Sequence, residues 1–242
     1  MKTEFASIYI ELSSVCDMNC PYCYNHTNKK YYLDIYQIQK LIVDAKKFGL
    51  TRVVLSGGEP FLYPNINELL DMSVLKDMDV MIITNGNFLT SDLMDKLIIN
   101  HFKIQLTLDG SKAEIHGKTR SVNNFHKILH IIEYYKRKKK LDFINLRCNI
   151  SMTNILDIHT FLDTVYKIGI RHCKLALVEP MGKGSDFVEK YGIYADEKIL
   201  GLITSMSKYK QNYEDFYINL GDQSKCFGCP FLSKEKQIIS LR

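Results

Sequence analysis

Three cysteines, Cys16, Cys20 and Cys23, fall within eight residues in the run Cys-Asp-Met-Asn-Cys-Pro-Tyr-Cys-Tyr. At offsets of four and three, one loop can turn all three sulfurs onto a single centre. Soft thiolates of this kind select zinc or an iron–sulfur cluster. A structural zinc site takes four protein ligands, and His26 stands where it would close a Cys3His set. An iron–sulfur cluster held by protein alone also takes four cysteines. The loop offers three, so either His26 completes a zinc site or one iron stays open to a ligand that is not protein.

Three other stretches bear on that choice: Ser-Gly-Gly-Glu-Pro at 56–60, Thr-Asn-Gly at 84–86 and Thr-Leu-Asp-Gly at 107–110. Gly57 and Gly58 let backbone pass close to a ligand where a side chain would collide, although a Gly-Gly turn before a proline is also a common strand ending. Asn-Gly is by itself a generic turn. Taken in order with Cys-x3-Cys-x2-Cys, the four motifs resemble those of the radical S-adenosylmethionine (SAM) enzymes. The likeness runs from about Ser7 to Gly184.

The resemblance implies that Cys16, Cys20 and Cys23 bind a [4Fe-4S] cluster, with the amino and carboxylate groups of SAM on the fourth iron. It implies a one-electron reductant, flavodoxin- or ferredoxin-like, whose electron ends in release of a 5′-deoxyadenosyl radical that takes hydrogen from substrate. Tyr22 is then expected against the adenine, and Gly57, Gly58, Glu59 and Pro60 near the amino group. Thr84, Asn85, Thr107 and Asp109 end strands on the ligand side. Thr107 keeps the hydroxyl of the family's usual Ser-Leu-Asp-Gly. Arg120 matches the arginine that follows this motif and would pair with the SAM carboxylate through its planar fork. Asn149, by strand phase, would reach the ribose hydroxyls.

The elements that must position these residues read as alternating strands and helices, hence βα units and a parallel sheet. Strands are expected near Ser7–Leu12, Arg52–Leu55, Val80–Ile83, Phe102–Leu108, Phe143–Ile150 and Cys173–Val178. Helices are expected near Leu33–Phe48, Ile66–Lys76, Ser91–Ile99, Phe125–Lys136, Ile155–Ile168 and Asp196–Lys208. Six units make an α/β, partial (β/α)6 TIM-like barrel, short of the eight units and about 250 residues of a full one. In the fourth strand Phe102, Ile104, Leu106 and Leu108 alternate with Lys103, Gln105, Thr107 and Asp109. Ile8, Ile10 and Leu12 in the first strand, and Ile144, Leu146, Cys148 and Ile150 in the fifth, alternate with polar neighbours in the same way. A partial barrel with a polar lumen explains this, as would an antiparallel sheet with one wet face. Cys148 and Cys173 fall on apolar faces and read as packing residues.

The core is taken as residues 1–210, followed by a short cysteine-containing extension at 211–242. Met181–Ser185 reads as a flexible turn and Asp215–Leu220 as a short strand. Cys226-Phe-Gly-Cys229-Pro resembles the opening of the cysteine-rich SPASM domain of peptide- and protein-modifying relatives, which carries auxiliary iron–sulfur clusters. Cys226 and Cys229 are thus candidate auxiliary ligands, but two thiols do not complete a cluster. A shortened chain, a truncated gene or a thiol redox pair are the readings that follow.

Composition narrows the setting. Of 242 residues, 46% are hydrophobic and 24% charged, as in soluble globular proteins. No apolar run approaches the roughly 18 residues of a membrane span. Seven cysteines, clustered rather than spread, fit metal ligation better than a disulfide framework, so the expected location is the cytoplasm, with no membrane partner. The net charge of +5 draws on Lys136–Lys140, which suits the end of a helix, so nucleic acid is not an expected partner. The expected function is a radical SAM enzyme modifying a peptide or protein. A small-molecule substrate and a zinc-structured Cys3His binding protein are the alternatives.

Overall fold

The computed structural model describes residues 7–25, 29–192, 215–219 and 239–241. The chain divides into two compact units. The first comprises residues 1–18, 27–106 and 236–242, the second residues 19–26 and 107–235. Each is built on parallel strands.

In the first unit β1 (Ser7–Glu11), β2 (Arg52–Ser56), β3 (Asp79–Thr84) and β4 (Lys103–Thr107) pair in sequence order, all parallel. A last short strand, Ile239–Leu241, pairs with β1 on its other side, a pairing the sequence did not announce. Parallel pairing removes the antiparallel alternative. Helices α1 (Ile35–Lys46), α2 (Ile66–Asp71) and α3 (Ser91–Ile99) form the crossovers. The Asp34 and Thr90 side chains cap α1 and α3 by accepting the backbone N–H groups of Gln37 and Leu93. The expected helix over Ile66–Lys76 breaks at Met72, where ψ is 123°, and a 3-10 turn follows at Ser73–Leu75. Ile66, Leu69 and Leu70 are buried at α-helical spacing, and Met72 and Leu75 are buried beyond the break.

The second unit holds β5 (Ile144–Ile150), β6 (His172–Leu177) and β7 (Tyr217–Asn219), again parallel and adjacent. Helices α4 (Ala113–His116), α5 (Val122–Arg137), α6 (Ile158–Ile168) and α7 (Gly184–Tyr191) belong to it. Ser121 caps α5 through the Asn124 N–H, which starts that helix earlier than its apolar stripe suggests. The basic run folds back onto its own aromatic rings, with Lys138 over Tyr134 at 5.3 Å and Lys140 over Phe143 at 5.0 Å. Helices α4 and α7 were not expected. The expected Asp196–Lys208 helix, Cys226 and Cys229 lie outside the described residues. Among the described residues, no helix is long and apolar enough to cross a membrane.

The strand alternation is as expected. Phe102, Ile104, Leu106 and Leu108 are buried, as are Ile144, Leu146, Cys148 and Ile150. Burial pushes the Cys148 and Cys173 thiols well up, as expected of inert packing residues. The polar face is half-buried where the strands begin and buried where they end. Ser13, Thr84, Thr107, Asp109, Asn149 and Ser151 are all shielded from water. Buried polar groups need partners, and these lie at the carboxyl ends of the strands, where barrels keep their chemistry.

Candidate functional site

In the first unit the Ser-Gly-Gly-Glu-Pro segment lies against the backbone that leads into the cysteines. Gly58 N–H donates to the Ser13 carbonyl at 2.7 Å and Glu59 N–H to the Val15 carbonyl at 2.8 Å. A Cβ on Gly58 would stand 2.1 Å from the Val15 oxygen, and one on Gly57 2.4 Å from the Ser13 oxygen. The close approach that requires glycine is thus to the protein's own chain, just before Cys16.

Glu59 is buried and spends its carboxylate inside the protein. Oε1 accepts from the Thr84 hydroxyl at 2.6 Å and from the Phe61 N–H at 3.1 Å, starting a 3-10 turn at Pro60. Oε2 accepts the Asn85 N–H at 2.8 Å. Burial pushes its carboxyl up to about 7, and nearby Asp17 adds to the rise while the three donors oppose it. Thr84 Oγ1 itself accepts the Gly86 N–H at 3.0 Å, which directs the hydroxyl hydrogen to Glu59. The Asn85 side chain reaches Asp17 Oδ1 at 2.7 Å and Cys16 Sγ at 3.8 Å. Glu59, Thr84, Asn85 and Cys16 are therefore one connected set.

In the second unit Tyr22, Asp109, Arg120 and Asn149 meet around one buried carboxylate. The Tyr22 hydroxyl donates to Asp109 Oδ2, and the Arg120 Nε lies 3.3 Å from the same oxygen. Arg120 Nε and the Asn149 side-chain amide approach the Tyr22 oxygen at 3.1 Å and 3.2 Å. The Asn149 N–H donates to Asp109 Oδ1 at 2.8 Å, and the Thr119 hydroxyl to Oδ2 at 2.9 Å. Burial lifts the Tyr22 hydroxyl well above the usual phenol range despite the opposing pull of Arg120. Burial disfavours the charged Arg120, but Tyr22, Cys20 and Asp109 outweigh it and hold the proton on. Burial raises the Cys20 thiol, with Arg120 pulling the other way. The Tyr22 ring stands edge-on to Phe187 of α7, centroids 5.7 Å apart. Thr107 is buried at the end of β4.

Sequence reasoning missed several supporting residues. Asp17 sits between the Asn85 and Asn87 amides, at 2.7 Å and 2.6 Å, and its place beside Cys16 was the one available signal. His116 Nδ1 accepts the Asp109 N–H at 3.0 Å, while Nε2 lies 3.0 Å from Asn124 Oδ1. The Asn154 amide donates to the carbonyls of Asp109 at 2.8 Å and Asn149 at 2.9 Å, and its Oδ1 accepts the Ser151 N–H at 2.9 Å. The turn at 181–185 is not a slack one. Gly182 has φ +58°, and a Cβ there would lie 2.5 Å from the Tyr24 oxygen and 2.8 Å from that of Cys23. Lys183 N–H donates to the Cys23 carbonyl at 3.0 Å, and its Nζ bonds the Asn19 side chain. Helix α7 starts directly from this fastening.

Free thiols are the soft donors that an iron–sulfur cluster takes. Cys16, Cys20 and Cys23 form no disulfide. Among the described residues no three His, Cys, Asp or Glu side chains are placed to hold a single metal ion. His26, which the zinc alternative needs, lies outside the described residues.

Residues 10–162 match the radical SAM superfamily. The chain is 25% identical over 182 residues to the AdoMet-dependent heme synthase of Methanosarcina barkeri, covering 73% of this chain and 51% of that protein. It is 25% identical over 186 residues to AlbA, the antilisterial bacteriocin subtilosin biosynthesis protein of Bacillus subtilis, covering 74% and 40%. It therefore spans about half the length of these relatives or less. The structure is similar to Streptococcus suis SuiB bound to S-adenosylmethionine, with TM-score 0.76 and 16% identity over 93% of this chain and 53% of SuiB. SuiB bound to its precursor peptide SuiA gives a TM-score of 0.75, with 14% identity over 93% of this chain and 51% of SuiB. The α/β fold is the partial TIM-like barrel of these proteins, the cofactors of the matched family are a [4Fe-4S] cluster and SAM, and the chain belongs to the radical SAM superfamily.

Proposed function

We propose that this chain is the catalytic core of an enzyme that takes a hydrogen atom from a peptide or protein substrate. The observation that carries the reading is the connected set from Glu59 through Asn85 to Cys16, which ties the second and third motifs to the first cysteine. When bound, the reduced cluster supplies one electron that breaks a carbon–sulfur bond of SAM and yields methionine and a 5′-deoxyadenosyl radical.

The chain's own residues do the rest. Cys16, Cys20 and Cys23 are the ligands, their number leaving one iron for SAM. Gly58, Glu59 and Pro60 present backbone toward the SAM amino group, while the Glu59 carboxylate keeps its internal partners. Arg120 carries its charge in a dry setting and is assigned to the SAM carboxylate, with Asp109 orienting it. Tyr22, whose hydroxyl is fixed by Asp109, offers its ring to the adenine, and Asn149 faces the ribose. Gly57, Thr84, Thr107 and Asp109 complete the cofactor's surroundings. The peptide assignment draws support from AlbA, named for bacteriocin biosynthesis, and from SuiB, solved with a precursor peptide. An external flavodoxin- or ferredoxin-like protein is the proposed electron donor.

Anaerobic reconstitution tests the reading. Four irons and four sulfides per chain are expected, with 5′-deoxyadenosine formed from SAM under dithionite. Each of Cys16→Ala, Cys20→Ala and Cys23→Ala should abolish both. Short peptides encoded beside the gene should raise 5′-deoxyadenosine formation and lose hydrogen. A colourless protein holding one zinc overturns the reading, and stimulation by small metabolites alone overturns the substrate class.

A further inference from the structure

Cys16 Sγ is approached by two nitrogen donors. The Met18 backbone N–H lies 3.5 Å away and the Asn85 side-chain nitrogen 3.8 Å away, within reach of a large sulfur acceptor. The orientation of the Asn85 amide is forced. Its Oδ1 accepts the Asn87 backbone N–H at 2.8 Å, and a backbone N–H only donates, so the NH2 must face Cys16 and Asp17. The Asn85 backbone N–H is held by Glu59, so the residue is gripped at both ends. Asn85 is buried, whereas Cys16 is exposed. A rigid, shielded donor thus meets an open sulfur.

Asp17 is the other half of the arrangement. Its two carboxylate oxygens are taken up by the amides of Asn85 and Asn87, and Oδ1 lies 3.9 Å from Cys16 Sγ. One side-chain amide therefore serves two neighbours of opposite effect. It gives an N–H toward the sulfur, and it fixes where a negative charge stands beside that sulfur.

We propose that Asn85 sets the reduction potential of the cluster bound through Cys16, acting as a tuning residue on the ligand rather than as a SAM contact. This rests on the reading of Cys16, Cys20 and Cys23 as cluster ligands. Hydrogen bonds to the sulfurs and nearby charge set the potentials of such clusters. An N–H to the thiolate draws off electron density and favours the form carrying one more electron. The Asp17 carboxylate acts in the opposite sense.

The test is a redox titration of the reconstituted chain without SAM, followed by the electron paramagnetic resonance signal of the reduced cluster. For Asn85→Ala and the near-isosteric Asn85→Asp, the ratio of reduced to oxidised cluster should fall about tenfold at the poise where the parent is half reduced. Asp17→Asn should shift that ratio upward. Iron counts keep the two possible failures apart. A parent chain without four irons removes the ligand reading and this proposal with it. Variants that hold four irons at the parent potential overturn the role of Asn85 and leave the ligand reading intact. If Asn85→Ala does not fold, Asn85→Asp and Asp17→Asn decide the matter, and a downward shift for Asp17→Asn also overturns the proposal.

Discussion

Asp109 and Arg120 meet at 3.3 Å with side chains only 1% and 10% exposed, so neither can turn to water if the other is lost. Removing one partner of such a pair leaves an uncompensated buried charge. Asp109→Ala is expected to cost about 3–5 kcal/mol, measured as a shift in the urea midpoint under anaerobic conditions. Arg120→Lys keeps the charge and loses the fork. SAM affinity should then fall about tenfold, the worth of one charge-assisted hydrogen bond, as read by calorimetry on the oxidised protein. An unchanged affinity would assign the SAM carboxylate elsewhere.

Glu59 makes stability depend on pH. Its carboxyl is raised from 4.5 to about 7 by burial, so the folded chain holds a proton that the unfolded chain releases earlier. The stability it contributes is complete below 4.5 and is lost as pH rises through about 7. The full swing is on the order of 3 kcal/mol at about 1.4 kcal/mol per unit. Thermal unfolding of the parent should fall between pH 5 and 8 relative to Glu59→Gln, whose side chain does not titrate. Parallel pH profiles would show that the three donors to Glu59 hold it ionised throughout.

Gly182→Ala should loosen the cysteine loop. It adds a methyl 2.5 Å from the Tyr24 oxygen at a φ of +58°. The expected loss is about 2–3 kcal/mol, with faster release of iron to a chelator. Gly49→Ala is the matched control, at φ +89° with nothing within 4 Å, and should cost only about 1 kcal/mol of backbone strain. Equal losses from the two variants would mean that the contact with the Cys23–Tyr24 backbone contributes nothing.

His116 should be neutral, with its proton on Nε2. Nδ1 accepts from Asp109 N–H, which leaves Nε2 to donate to Asn124. Burial holds its pKa below 6.5, so the stability it contributes is complete above 6.5 and is lost as pH falls below that value. Nitrogen-15 spectra at neutral pH should show two distinct ring nitrogens, without the averaging of an exposed imidazole.

Much of the arrangement is legible in the chain itself because its signals are local. Phe102, Ile104, Leu106 and Leu108 alternate with polar neighbours, and their burial follows from period two alone. The crossovers Ile35–Lys46 and Ser91–Ile99 fall within or on the helices expected from the sequence pattern. What stays hidden depends on partners far along the chain. Gly182 and Lys183 read as a loose turn because their fit is to Cys23, Tyr24 and Asn19, the last lying 164 positions before Lys183. Asp17 looks like a loop carboxylate until Asn85 and Asn87 arrive from the end of β3. Gly57 and Gly58 were expected to make room for a ligand, yet the atoms nearest their missing side chains belong to residues 12–15.

The amide of Asn154 grips the carbonyls of Asp109, just past the end of β4, and of Asn149, just before β5 ends at Ile150. A single side chain thus rivets the end of β5 to the root of the loop that follows β4. Turns above such a rivet can be lengthened, shortened or exchanged while the floor beneath keeps its spacing. New specificities can then arise by remodelling the rim, without redesign of the chemistry seated below it.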